Sequence, residues 1–199
     1  MAVAHNNPRR SVEEFFALRQ SDPAHRYEYI DGHIYMMSGG TPRHAIIGAN
    51  LNGLLWDLLR GKPCRVYNSD ACVQVSEERY VCPDVTVSCD SRDGDEDEEE
   101  DEMKTLHYPS VVMEVLSAGT KAYDRGAKFE LYQDVTSIQE YVVIETRLPR
   151  VLLYRREQNN LWTIHILHPG EDVELTSIGV KFPVAAIYEK TRFSKEEQS

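Results

Sequence analysis

The chain has 199 residues, 41% of them hydrophobic, and a formal net charge of −11, which suits one domain with a real core. No stretch approaches the roughly 18 unbroken apolar residues of a membrane span, and the N-terminal MAVAHNNPRR has no apolar h-region, so a soluble, cytoplasmic protein is expected. The acidity is local: residues 93–102, DGDEDEEEDE, supply nine of the 33 acids and leave 24 acids against 22 bases elsewhere, so net charge neither supports nor excludes a nucleic-acid partner.

Residues 1–10 are polar and read as a loose end. Ser11, followed by Glu13 and Glu14, is an N-cap with first-turn acids, so SVEEFFALRQ reads as a short helix. RYEYI and HIYMM flank Asp31-Gly32, the strongest short hairpin signal. Thr41-Pro42 opens a second helix, running to about Arg60 with Gly61 as its stop. Its apolar stripe is Ile47, Gly48, Leu51, Leu54, Leu55 and Leu58, and His44, in the first turn, lies on the same core-facing side.

CRVYNSDACVQV and RYVCPDVTVSC are β-rich runs around Ser76-Glu77-Glu78. Their four cysteines (Cys64, Cys72, Cys82, Cys89) lack C-x-x-C pairs, and buried, reduced thiols are expected. After the acidic insertion at 91–104 comes the strand of HYPSVVMEVLS, a helical pattern from Thr120 to about Gln133, and the buried strand EYVVI at 140–144. That order makes a crossover between parallel strands. RVLLYRRE, LWTIHILH and GVKFPVAAIY read as a meander, and residues 190–199 as a second loose end. The class is α/β: a mixed β-sheet core flanked by helices, with an N-terminal hairpin and a C-terminal meander, in a single domain over residues 11–189.

Counting outward from the acidic loop, Asp84 and Glu114 become near neighbours on antiparallel strands, and the same count around residues 76–78 brings Asp70 to that end of the sheet. The acidic loop then lies about 20 Å away. Carboxylates within apolar strands are costly unless compensated, and Mg²⁺, which takes one or two carboxylates plus waters and phosphate oxygens, would compensate them. Taken singly, Asp84 reads better as a strand cap after Pro83, and Glu114 as an arginine partner. In register, they favour a metal. Such sites commonly carry a lysine two residues after the second acid, but that position is Leu116. The following helix offers Lys121, Arg125 and Lys128, of which Lys128 has the reach to return to the strand edge. Lys128 is also placed for a surface i,i+4 pair with Asp124.

Pro83-Asp84 followed by Glu114 resembles the PD-(D/E)xK phosphodiesterases, the restriction-endonuclease-like superfamily. Within it, RYEYIDGHIYMMSGGTPRHAIIGANL, CPDVTV, VVMEVLSAGTKAYDRGAKFELY, EYVVIE and FPVAAIY are similar, in order and spacing, to the Uma-two family of endonucleases. The resemblance implies a Mg²⁺ site, with Mn²⁺ able to substitute, built on Asp84 and Glu114; the Val115 backbone carbonyl is a further candidate ligand, and Asp70, brought near by the strand count, an outer one. It implies Lys128 as the displaced catalytic lysine. His44 matches a histidine at this helix start, although a core histidine bonded to a backbone carbonyl is an equal reading. Arg43, Lys121 and Arg125 are the candidate phosphate contacts. Glu28 also matches a family position, but strand alternation assigns it to solvent, outside the site. The expected function is endonuclease cleavage of nucleic acid, DNA ahead of RNA, by a chain able to form a homodimer. The alternative is a decayed nuclease fold acting as a binding or scaffold protein.

Overall fold

The fold comes from a computed structural model that describes residues 8–37, 39–94, 105–116 and 126–193. Helix α1 (Val12–Ser21) starts in a reciprocal capping box between Ser11 and Glu14. Strands β1 (Tyr27–Ile30) and β2 (His33–Met36) turn through Asp31 and Gly32 at φ values of 50° and 83°, the left-handed pair that a two-residue hairpin requires. Helix α2 (Pro42–Leu58) is capped by Thr41 and buries Ile47, Leu51 and Leu55. Next come β3 (Arg65–Asn68), β4 (Cys72–Ser76), β5 (Arg79–Val81) and β6 (Val85–Ser88), then β7 (Thr105–Leu106) and β8 (Val111–Val115). Helix α3 (Ala127–Asp134) leads to β9 (Glu140–Ile144) and β10 (Val151–Arg156), then β11 (Trp162–Leu167), β12 (Asp172–Leu175), β13 (Val180–Pro183) and the short α4 (Val184–Ile187).

The larger sheet has the order β11-β10-β9-β8-β6-β3, the smaller β2-β1-β5-β4-β7, and β12–β13 forms a separate ribbon. Within the larger sheet β8 and β9 run parallel with Val111 opposite Glu140, the expected crossover. One apolar cluster joins α2, the ribbon and α4 to one face of this sheet. A second covers the opposite face and includes Tyr132 from α3. Glu140 is buried but structural: it accepts from Thr176 and Ser177 and so pins the meander to the sheet.

The two β-rich runs form one long hairpin that changes sheets midway. Asn68 pairs with Val85 in the larger sheet, whereas Val73 pairs with Val81 in the smaller. Asp70 and Pro83-Asp84 therefore sit at the crease between sheets. The cysteines depart from expectation. Cys64–Cys89 and Cys72–Cys82 are disulfides, each one register step beyond a paired strand position. Paired thiols lend no support to a reducing cytoplasm. Among the described residues no helix is long and apolar enough to cross a membrane.

Asp93, counted above with the acidic loop, belongs to the fold. Its carboxylate is buried and accepts from Ser88 Oγ at 2.6 Å, His107 N at 2.8 Å and Tyr108 N at 3.0 Å, while its carbonyl accepts from the Tyr67 hydroxyl. This anchor stands at the end of β6 away from Asp84; residues 95–104, and with them the expected remote loop tip, lie outside the described residues. Asp93→Ala, which strands those donors, should lower stability in urea by about 2–4 kcal/mol. Asp172→Ala, which removes one exposed partner of Lys181, should change it by less than about 1 kcal/mol. Equal shifts for the two variants would contradict this assignment of Asp93.

Candidate active site at the crease

The β6–β8 ladder pairs Val85 with Met113, and one further step sets Asp84 opposite Glu114. The ladder ends there, because Pro83 offers no strand partner at the crease. The Asp84 carboxylate takes over the acceptor role: its Oδ2 accepts the Val115 N–H at 2.8 Å. A strand residue directs its N–H and C=O toward the same edge, so the Val115 carbonyl also faces the Asp84 side. His44 Nε2 lies 3.2 Å from Asp84 Oδ2, and the partly exposed Arg26 guanidinium 3.7 Å from Oδ1. Burial works to raise the Asp84 carboxyl. The His44 hydrogen bond and charge, the Val115 N–H and the Lys128 ammonium outweigh it and hold the group below the ordinary aspartate range.

Gly40 makes room for this histidine. A Cβ at position 40 would stand 2.5 Å from His44 Nδ1 and 2.7 Å from its Cγ, so a larger residue there must displace the ring. His44 meets a carboxylate, not the backbone carbonyl of the competing reading.

Side chains of β8 alternate between the two cores: Met113 and Val115 enter the α2 side, and Val112 and Leu116 the α3 side. Glu114 shares the latter face. On α3, Lys128 and Tyr132 stand four residues apart and so project together. Lys128 Nζ and the Tyr132 hydroxyl donate to Glu114 Oε1 at 2.8 and 2.9 Å. Burial, then the Glu114 charge, drives the Tyr132 phenol well above its usual range, so it remains a donor. Lys128 is 0% exposed and lies 2.8 Å from a second carboxylate, Glu28, rather than on the surface beside Asp124, which is outside the described residues.

Glu28 corrects the solvent-face expectation, being 1% exposed. Tyr27 and Tyr29 alternate toward the cluster that contains Phe15 of α1, and Lys128 of α3 meets Glu28 on the other face of β1. Its Oε1 also accepts the Cys82 N–H at 3.2 Å. Arg26 and Tyr132 were not singled out from sequence either. Arg26 had no periodic signal, whereas the Lys128–Tyr132 spacing could have exposed the tyrosine.

Two expected residues are engaged elsewhere. Asp70 is exposed and its carboxylate accepts from Asn68 Nδ2 at 3.0 Å. The Arg43 guanidinium donates to the Thr146 and Arg192 carbonyls and stacks on Phe193. It ties the C-terminal segment to α2, which leaves the phosphate role without support. Lys121 and Arg125 lie outside the described residues.

Glu28, Glu114 and Lys128 place two carboxylates against one ammonium, away from water. Among the described residues no three His, Cys, Asp or Glu side chains converge as a metal-ligand group. Mg²⁺ asks for only one or two carboxylates, and Asp84, Glu114 and the Val115 carbonyl are hard oxygen donors of the right kind. The residues present fit such an ion.

A crystal structure titled as a putative nuclease belonging to DUF820, from Anabaena variabilis ATCC 29413, superposes with a TM-score of 0.70 over 88% of this chain and 96% of that one, at 18% identity. This likeness shows the fold, a restriction-endonuclease-like mixed α/β architecture. The uncharacterized protein slr1290 of Synechocystis sp. is 36% identical over 187 residues, covering 94% of this chain and 95% of the relative. A second uncharacterized Synechocystis protein, sll1609, is 27% identical over 158 residues, 79% of this chain and 86% of its own. The model of the Uma2 family, described as "Putative restriction endonuclease", matches residues 12–185. With that match over most of its length and the crease geometry beneath it, the chain belongs to the Uma2 family.

Proposed function

We propose that the chain is a Mg²⁺-dependent endonuclease, accepting Mn²⁺, that hydrolyses phosphodiester bonds of DNA. The buried Lys128 ammonium, 2.8 Å from Glu114, carries the reading, because a fully buried base shared by two acids is costly as mere structure. The family's description as a restriction endonuclease supports nucleic acid, and DNA in particular, as substrate. Asp84, Glu114 and the Val115 carbonyl would hold the ion, which supplies a Lewis acid for activating water.

The chain's own groups do the rest. Glu28 holds Lys128 beside the edge where Asp84 and Glu114 meet. Lys128 fixes the Glu114 carboxylate in place and lends positive charge to the edge where charge develops on the phosphate. His44 keeps Asp84 ionised in the absence of substrate. Arg26, with its guanidinium beside Asp84 and partly in solvent, takes a phosphate oxygen of the incoming strand. Nucleic acid and a second copy of the chain are the partners in this reading.

Lys128→Ala should lower metal-dependent cleavage of plasmid DNA by about 10²–10³-fold. If it fails to fold because two buried carboxylates lose their counter-ion, Glu28→Gln with Lys128→Met keeps the same net charge at the cluster. Wild-type cleavage by either folded protein would sink the lysine assignment.

Gly40→Ala should reduce cleavage while leaving the melting temperature within about 2–4 °C of wild type, the shift of roughly 1 kcal/mol for a chain of this size. Unchanged turnover would remove His44 from the site.

Asp84→Asn should abolish cleavage and destabilise the metal-free protein at neutral pH, because the folded state prefers the ionised carboxylate. The sign follows from the lowered carboxyl: its stabilising contribution is present above the unfolded aspartate value of about 3.9 and is lost as pH falls through the folded one. The gap between wild type and Asp84→Asn should therefore close below about pH 4 in chelator-treated samples. A gap that persists or widens there would refute the linkage.

A further inference from the structure

Strand β11 ends the six-stranded sheet, and among the described residues no strand pairs with its outer edge. Edge strands are normally guarded by lysine, proline, a bulge or a covering element, because their open backbone invites pairing. Trp162–Leu167 carries no lysine, arginine, acid or proline, and it runs against β10 for six residues without a register shift. Leu161, Ile164 and Ile166 are 66%, 56% and 54% exposed, a high exposure for three large aliphatic residues within six positions.

The neighbouring hydrogen bonds give the direction of the open backbone groups. The Glu157 N–H donates to the Leu161 carbonyl at 2.7 Å, so Leu161 faces β10. By the alternation of an antiparallel ladder, Thr163, His165 and Leu167 also face β10, whereas Trp162, Ile164 and Ile166 direct their N–H and C=O groups outward. The Arg156 N–H, donated to the Gln139 carbonyl on the far side of β10, agrees with this phase: Arg156 is opposite Trp162, and neither bonds toward the other.

We propose that β11 is the homodimer interface, pairing antiparallel with the same strand of a second copy, Ile164 opposite Ile164 on the two-fold axis. The two Ile164 residues then exchange both backbone hydrogen bonds, and Trp162 does the same with Ile166 of the second copy. On one face, Trp162 and Ile166 meet across the axis beside the central isoleucine pair. On the other, Thr163 meets His165, a pair that already hydrogen-bonds within one chain at 3.2 Å. Leu161 meets Leu167 at each end. Apolar groups oppose apolar groups and polar groups oppose polar ones, with no charge set against its like. This self-complementarity selects a second copy over a charged or polar partner strand. Joining the sheets also extends the Phe129–Tyr154–Trp162 aromatic cluster under the exposed isoleucines.

Sedimentation of the full chain, with amide hydrogen exchange on the same samples, tests this independently of nuclease activity. A dimer is expected in which the Trp162, Ile164 and Ile166 amides are protected. Ile164→Lys, which sets two ammonium groups against each other on the axis, should raise the dimer Kd at least about tenfold and release those three amides, while Thr163, His165 and Leu167 stay protected by β10. Ile166→Lys serves if the first variant misfolds. A wild-type chain that stays monomeric at about 100 µM would overturn the proposal and leave the edge to a strand of another protein. A dimer unaffected by either variant, with the three outward amides exchanging freely, would place the interface elsewhere and overturn it equally.

Discussion

An ammonium without access to water must find its counter-charge inside the protein, and Lys128 finds two. Glu28 comes from the smaller sheet, Glu114 from the larger, and Lys128 from the helix between them. The desolvation of three charges is unfavourable on its own, and removing one partner of such a group typically costs about 3–5 kcal/mol. The cluster therefore makes the relative placement of the two sheets and α3 specific rather than merely compact. A small displacement of any of the three elements would leave a buried charge unmet.

The second constraint is the crease. A single hairpin contributes strands to both sheets, and the change of sheet falls where proline and aspartate follow each other. Proline has no N–H for a ladder, and the ladder's last donor, the Val115 N–H, is met by the Asp84 side chain instead. The same local break that ends regular pairing thus turns a carboxylate inward beside Glu114. Disulfides on either side of the crease join the hairpin's two strands in each sheet. The bend lies between two covalent ties and has little freedom to slide.

Much of this architecture is legible in the residues. Asp31-Gly32, the Thr41-Pro42 start, the parallel crossover and the Asp84–Glu114 register all follow from turn chemistry, capping and counting. What escaped was set by tertiary cover. Alternation in β1 assigns Glu28 to water only if that face of the strand is open, and there Glu28 is buried against Lys128 of α3. Asp93 looks like the first residue of an acidic run, yet it folds back to cap the backbone at 107–108. Arg43 has the composition of a phosphate contact, but two carbonyls and an aromatic ring hold it. The disulfide partners could have been found by the count that paired the strands, since each pair sits one step beyond a ladder position.

The scatter of the crease residues along the chain bears on how the protein folds. Glu28 and Lys128 are separated by 100 positions, and the Glu28 contact to Cys82 spans 54. Neither sheet alone contains the set: Glu28 is left without its ammonium in one, and Glu114 without its neighbour in the other. Contacts of such long range form late, after the entropy of closing the intervening segments has been overcome. A nascent or partly unfolded chain then holds its acidic side chains far apart in water. The crease is complete only when both sheets and α3 have docked, so a half-folded chain carries none of its paired geometry.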